Sequence, residues 1–264
     1  MTGSTIRLAA AGDIHCHEGN RDEIAGAFER IAEGADLVVL AGDLTTHGEP
    51  EQAAVLADAC RDLDVPVFSV LGNHDWHANR VDELLQVLES GGIRVIDRRS
   101  ATCDVRGVKV GLAGAKGFVG GFPDSTLPDF GEPLMRAVYA ETGAEVRALD
   151  VALDEIAGCP IRIALLHYAP TTTTLEGERQ TIWSFLGSDR LAEPIAAHLP
   201  TVVLHGHGHN GRFEGFIGPV PVFNVAVHVL GGDFWVFEFD EQGRLLHKRS
   251  KPEPALRAAQ HAET

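Results

Sequence analysis

Thirteen histidines are spread unevenly along this 264-residue chain, and the informative ones sit with Asp, Asn and Gly directly after apolar runs. Gly12-Asp13-Ile14-His15 follows Ile6–Ala11, Gly42-Asp43 closes Leu-Val-Val-Leu-Ala, and Gly72-Asn73-His74-Asp75 closes Val-Phe-Ser-Val-Leu. His167 ends Ile-Ala-Leu-Leu, and Gly206-His207-Gly208-His209 ends Val-Val-Leu-His. Asp13 and His15 stand at i, i+2, as do His207 and His209, a spacing that turns both side chains to one side of an extended backbone. Carboxylate, imidazole and amide donors are ligands for hard-to-borderline divalent metals. Taken singly, each cluster has an ordinary explanation: Gly-Asp is a turn, Asn-His is loop polarity, and a lone His is a satisfied core residue. Five of them, all at the ends of apolar runs, point to a metal site.

Donors so placed must be carried by elements that end at one edge. Apolar, β-branched runs predict strands at Ile6–Ala11, Leu37–Ala41, Val65–Leu71, Ile93–Ile96, Val108–Ala113, Ile161–His167, Thr201–His205, Val220–Val227 and Phe234–Phe239. Amphipathic stretches predict helices at Arg21–Glu33, Glu51–Leu63, Arg80–Glu89, Glu132–Ala157 with a break near Gly143, and Asp189–His198. Apolar residues on consecutive positions mark strands covered on both faces. The early strand–helix alternation fits βαβ units and a largely parallel sheet. In open α/β sheets the ligand crevice lies beyond the carboxyl ends of the strands. Arg106-Gly107 reads as a hairpin turn, and Asp240-Glu-Gln-Gly243 turns a second antiparallel pair.

Gly114 to Pro128 holds four glycines and two prolines and reads as an irregular loop. Such a loop in a compact domain is a candidate lid or binding loop, with Lys116 as the residue that would steer a phosphate. The chain reads as a single domain over residues 1–250 with a flexible tail at 251–264.

Composition narrows the partners. Lys and Arg number 22 against 38 Asp and Glu, a formal charge of −16. That balance disfavours long nucleic acids, whose affinity comes mostly from cations neutralising phosphates. An anionic substrate stays open, because bound divalent cations reverse the sign of a local field. No run approaches the roughly 20 apolar residues of a membrane-spanning helix, and the N-terminus lacks a basic signal region. The expectation is a cytoplasmic protein without a membrane partner. Cys16, Cys60, Cys103 and Cys159 are scattered and read as reduced thiols.

In this order, Asp-x-His, Gly-Asp, Gly-Asn-His-Asp, His and Gly-His-x-His resemble the calcineurin-like metallophosphoesterases over residues 13–209. The resemblance implies an α/β fold, a four-layer α/β/β/α sandwich of two mixed sheets flanked by helices. It implies that Asp13, His15 and His209 hold one metal ion and Asn73, His167 and His207 a second, with Asp43 bridging. The two ions would be Mn, Fe, Zn or similar. It places His74 towards the leaving group, and Asp75 is then expected to orient His74 through a carboxylate–imidazole hydrogen bond. Two divalent ions and two Asp carboxylates leave a local charge of about +2, enough to hold a hydroxide and a phosphate anion. The expected activity is hydrolysis of a small phosphorylated substrate, first a nucleotide-like phosphodiester, since a retained His74 suits a poor alkoxide leaving group. A phosphomonoester is the alternative substrate. A non-catalytic scaffold of the same fold is the alternative from another class, and such scaffolds typically lose ligands that this chain keeps.

Overall fold

Successive residues of the apolar runs are buried on opposite sides, which stacks two sheets back to back between helices. The computed structural model describes residues 5–249, so the expected tail at 251–264 lies outside the described residues. In the first sheet β1 (Ile6–Ala11), β2 (Leu37–Ala41), β3 (Val67–Val70) and β4 (Ile93–Val95) run parallel. At its other edge, β13 (Trp235–Phe239) pairs antiparallel with β1 and with β14 (Leu245–Arg249). In the second sheet β6 (Val108–Gly114), β9 (Ile161–Leu165), β10 (Val202–His205) and β12 (Val220–Asn224) run parallel. β5 (Arg99–Val105) and β11 (Glu214–Ile217) close its two edges antiparallel.

Leu8, Leu37, Val39 and Phe68 of the first sheet meet Val110, Leu112, Ile163, Leu204 and Phe223 of the second in one buried cluster. The alternate residues Ala9, Val38 and Leu40 face α1 (Arg21–Ala32), α2 (Pro50–Cys60) and α3 (Val81–Ser90) through Phe28, Leu56 and Leu88. On the far side, Ala113, Ala164 and Val203 face α4 (Pro133–Glu155) and α6 (Ala192–His198) through Leu153 and Ile195. The order is therefore α/β/β/α. Burying each large apolar side chain contributes about 1.5–3 kcal/mol, and the layers hold together mainly by that.

The differences from the sequence expectation are local. α4 runs unbroken through Gly143, which is buried against Arg190: a Cβ there would lie 2.9 Å from the Arg190 guanidinium. The glycine serves close packing and breaks nothing. β9 stops at Leu165, and β12 stops at Asn224, short of the expected ends. Beyond those points the backbone serves loops instead: His167 N–H donates to Lys116 O (3.0 Å), and Val227 opens the short helix α7 (Val227–Leu230). Within the 114–128 segment, β7 (Gly121–Phe122) and β8 (Ser125–Thr126) form a small ribbon. Another short helix, α5 (Trp183–Leu186), lies against it. Among the described residues no helix is long and apolar enough to cross a membrane, and the four cysteines are free.

Candidate metal centre

The carboxyl ends of β1, β2, β3, β9 and β10 open towards one region, and each is followed at once by donor residues. Asp13, His15, Asp43 and His207 all have left-handed backbone, with φ of 56°, 49°, 48° and 69°. That conformation costs an L-residue about 1–2 kcal/mol, and strain of this kind concentrates at functional sites. Glycines make the approach possible: a Cβ on Gly72 would overlap the Asp43 carboxylate, and one on Gly206 would overlap that of Asp13.

Three donor groups result, with the ligand atoms of each within 4.8 Å of one another: Asp13, His15 and His209; His15, Asp43 and His74; Asp43, His167 and His207. Asn73 joins the last through its Oδ1, 3.0 Å from His167 Nε2. Asp43 sits centrally, Oδ1 3.5 Å from His167 Nε2 and Oδ2 3.9 Å from both His15 Nε2 and His74 Nε2. Asp13 accepts from His207 N (2.9 Å) and pairs with His209 Nε2 (3.0 Å).

Backbone carbonyls select which ring nitrogen faces inwards. His167 donates Nδ1–H to Ala41 O (2.9 Å), His207 donates Nε2–H to Phe185 O (3.2 Å), and His74 donates Nδ1–H to Thr46 O (2.8 Å). The opposite nitrogen of His167 and of His207 is thereby left with its lone pair turned to the site, the arrangement by which outer hydrogen bonds orient metal-binding imidazoles, while the same kind of bond orients His74.

Electrostatics fit a cation. Burial keeps His167 well below the ordinary imidazole range and pulls His207 down to about 4. Burial likewise takes His15 down to about 3, against the opposing pull of Asp13. These rings are neutral at pH 7, the form that binds a metal. Burial, with the charges of Asp13 and Asp75, pushes Asp43 well above the carboxylate range. Asp13 goes the other way: burial would raise it, but the His209 hydrogen bond and the nearby histidines hold it well below that range. Burial would lower His209, but its hydrogen bond to Asp13 raises it, so Asp13 has one cationic neighbour while Asp43 lies among neutral rings; divalent ions would supply the positive charge the pair lacks. The donor set of carboxylate, imidazole and amide suits such ions.

Two expected residues stand elsewhere. Asp75 does not touch the His74 imidazole. Its fully buried carboxylate accepts from Leu44 N (3.2 Å), Thr45 N (2.9 Å), Thr45 Oγ1 (2.7 Å) and Gly72 N (2.8 Å), tying the Asp43 loop to the Asn73 loop. His74 is oriented by the Thr46 carbonyl instead. Lys116 is not an open phosphate-steering cation. It is buried, with Nζ donating to Gly117 O (2.9 Å) over the Phe118 and Tyr168 rings. The exposed part of the 114–128 loop lies further on.

Sequence reasoning missed the carbonyls of Ala41, Thr46 and Phe185, which no side-chain pattern reveals. It also missed Tyr168, whose ring packs 4.6 Å from that of His207. Buried His205 bonds through Nε2 to Thr174 Oγ1 (2.9 Å), at the foot of the His207–His209 loop.

A family model described as calcineurin-like phosphoesterase matches residues 6–211. Among solved structures, TT1561 of Thermus thermophilus matches 94% of this chain and 99% of its own, with a TM-score of 0.57 and 18% identity. Phosphopantetheinyl hydrolase PptH from Mycobacterium tuberculosis matches 85% and 90%, with a TM-score of 0.61 and 17% identity. GAP50, the anchor in the inner membrane complex of Plasmodium, matches 96% and 90%, with a TM-score of 0.55 and 13% identity. At these identities the likeness is one of fold.

Proposed function

The chain belongs to the calcineurin-like phosphoesterase family, and from that membership we propose a dinuclear metal-dependent phosphodiesterase acting on a small nucleotide-like diester. Asp13, His15 and His209 would hold one ion, and Asn73, His167 and His207 the other, with Asp43 shared. The observation that carries this reading is Asp43, which faces His15 with one carboxylate oxygen and His167 with the other. A divalent pair bound there supplies Lewis-acid charge and an activated water at neutral pH.

The chain's own residues have the remaining work. Neutral imidazoles and the Asn73 amide add no charge, so the cationic character left for an anionic phosphate is large. His74 keeps Nδ1–H on the Thr46 carbonyl, its side chain is partly exposed, and its Nε2 faces Asp43. When protonated, that nitrogen gives its proton to the departing alkoxide oxygen. General acid catalysis of this kind is worth about 10²–10⁴-fold. Asp75 acts by holding the Asp43 and Asn73 loops in register. The complete donor set favours hydrolysis over a non-catalytic scaffold here.

The test is Mn²⁺-supplemented hydrolysis of a chromogenic phosphodiester beside its monoester, with His74→Ala as the second arm and metal content measured throughout. The expected result is preferred diester cleavage, with turnover falling at least about 100-fold in the variant while metal content stays at the wild-type level. Monoester preference would move the substrate to phosphorylated metabolites. Loss of metal along with turnover would make His74 a ligand, a role its grouping with His15 and Asp43 would permit.

A further inference from the structure

A third imidazole stands beside the Asp13 group. His228, on α7, stacks on His209 with ring centroids 4.0 Å apart and planes 9° from parallel. It also meets His15 edge-on at 6.3 Å. α7 is tied to the loop that carries Asp13, since Gly12 N donates to Val225 O (2.8 Å) and Val227 N donates to Gly12 O (3.0 Å). We propose that His228 is a positioning residue that sets the ring plane of His209 and so strengthens binding of the ion held by Asp13, His15 and His209. This rests on the metal assignment made above.

His209 has more need of such support than His167 or His207. His167 and His207 each have a backbone carbonyl on the nitrogen turned away from the site. The hydrogen bond of His209 goes instead to Asp13, its expected co-ligand, and its loop contains Gly208 and Gly211. With one nitrogen bound only to another ligand, the ring is free to swing about its side-chain torsions unless a face is held. The His228 stack holds that face. Offset and stacked aromatic contacts are favourable in their own right, and a ring set in advance loses less freedom when it binds a metal. His228 does not itself belong to the donor set: stacked, near-parallel rings send their nitrogen lone pairs along parallel planes, which do not converge on one ion.

The experiment is a Co²⁺ titration of metal-stripped protein, followed by visible absorption and by competition with a chelating dye. It compares wild type with His228→Phe, His228→Leu and His228→Ala. Wild type should take up two ions. Leu and Ala should weaken one of the two sites by about 10-fold or more, in line with the loss of an outer-shell partner, and should shift the absorption band of that site alone. Phe, which keeps a ring face and no nitrogen, should restore both affinity and band. The metal-free variants should unfold at the wild-type midpoint, so the effect is read on binding. Wild-type affinity in Leu and Ala would overturn the proposal. So would a Phe variant as weak as Leu, because a nitrogen rather than a ring face would then be needed. A wild-type protein taking up no Co²⁺ would overturn the metal assignment and this inference together.

Discussion

The two sheets secure their donors in different ways. On the first, the loops bearing Asp43, Asn73 and His74 are gathered on one buried carboxylate, Asp75, which takes four donors from three residues. On the second, support for His207 and His209 is dispersed. His205 bonds to Thr174, Asn224 Nδ2 donates to Gly208 O (2.7 Å), and Phe185 O fixes one ring. Concentrated support makes one position critical. Dispersed support spreads the cost and leaves single substitutions milder.

The contrast is broken or kept first by Asp75→Ala. It strands the N–H groups of Leu44, Thr45 and Gly72 and the Thr45 hydroxyl at a fully buried position. Each unsatisfied buried group costs about 1–3 kcal/mol, and together they should cost on the order of 4 kcal/mol or more. Urea unfolding of the metal-free protein measures it. Asp75→Asn retains part of the acceptor capacity and should fall between.

Asn224→Ala is the matching test on the second sheet. It removes the bond to Gly208 O and the one accepted from Ala226 N (3.1 Å), at an expected cost of about 1–3 kcal/mol. Amide exchange should quicken at Gly208 and Gly211 and stay unchanged at Leu44 and Thr45. If Asn224→Ala costs as much as Asp75→Ala, the two halves are held alike and the distinction fails.

The same contrast separates what could be read in the sequence from what could not. Runs such as Leu37–Ala41 and Val202–His205 announced doubly covered strands, and the glycine-flanked donors at their ends announced which side chains would gather. Those are local signals of residue type and spacing. The partner of Asp75 was misjudged because its neighbour in sequence, His74, is not its neighbour in hydrogen bonding: the carboxylate turns inwards to backbone donors 30 residues away. Lys116 was misjudged because a glycine-rich stretch looks exposed, while tertiary packing buries its start against Tyr168 and under Glu145, which accepts from Gly117 N (3.0 Å). β11 escaped notice because Glu-Gly-Phe-Ile is an edge strand with one glycine and weak alternation.

The smallest expected effect falls at the seam between the halves. Asp97 follows β4 of the first sheet, and its Oδ1 accepts from Leu71 N (3.0 Å), just ahead of the Asn73 loop. It also feels Lys116 and Glu145 from the second half. Burial pushes its carboxyl up to about 7, with Glu145 and Asp75 adding to the rise and the Leu71 N–H and Lys116 opposing it. A folded-state pKa above the unfolded value means the native protein keeps a proton that the unfolded chain has released. The stabilising contribution is therefore complete below about pH 4 and is lost as pH rises towards 7. Asp97→Asn stays neutral and keeps an oxygen for Leu71. It should match wild type at pH 4 and exceed it at pH 8 by about 1–2 kcal/mol, less than the full shift because the side chain is only partly buried. That gain corresponds to a rise in thermal midpoint of about 2–4 °C per kcal/mol. Equal midpoints at pH 8 would mean that the seam tolerates an ionised carboxylate. Lys116, whose charge Asp97 feels, would then serve as its counter-charge.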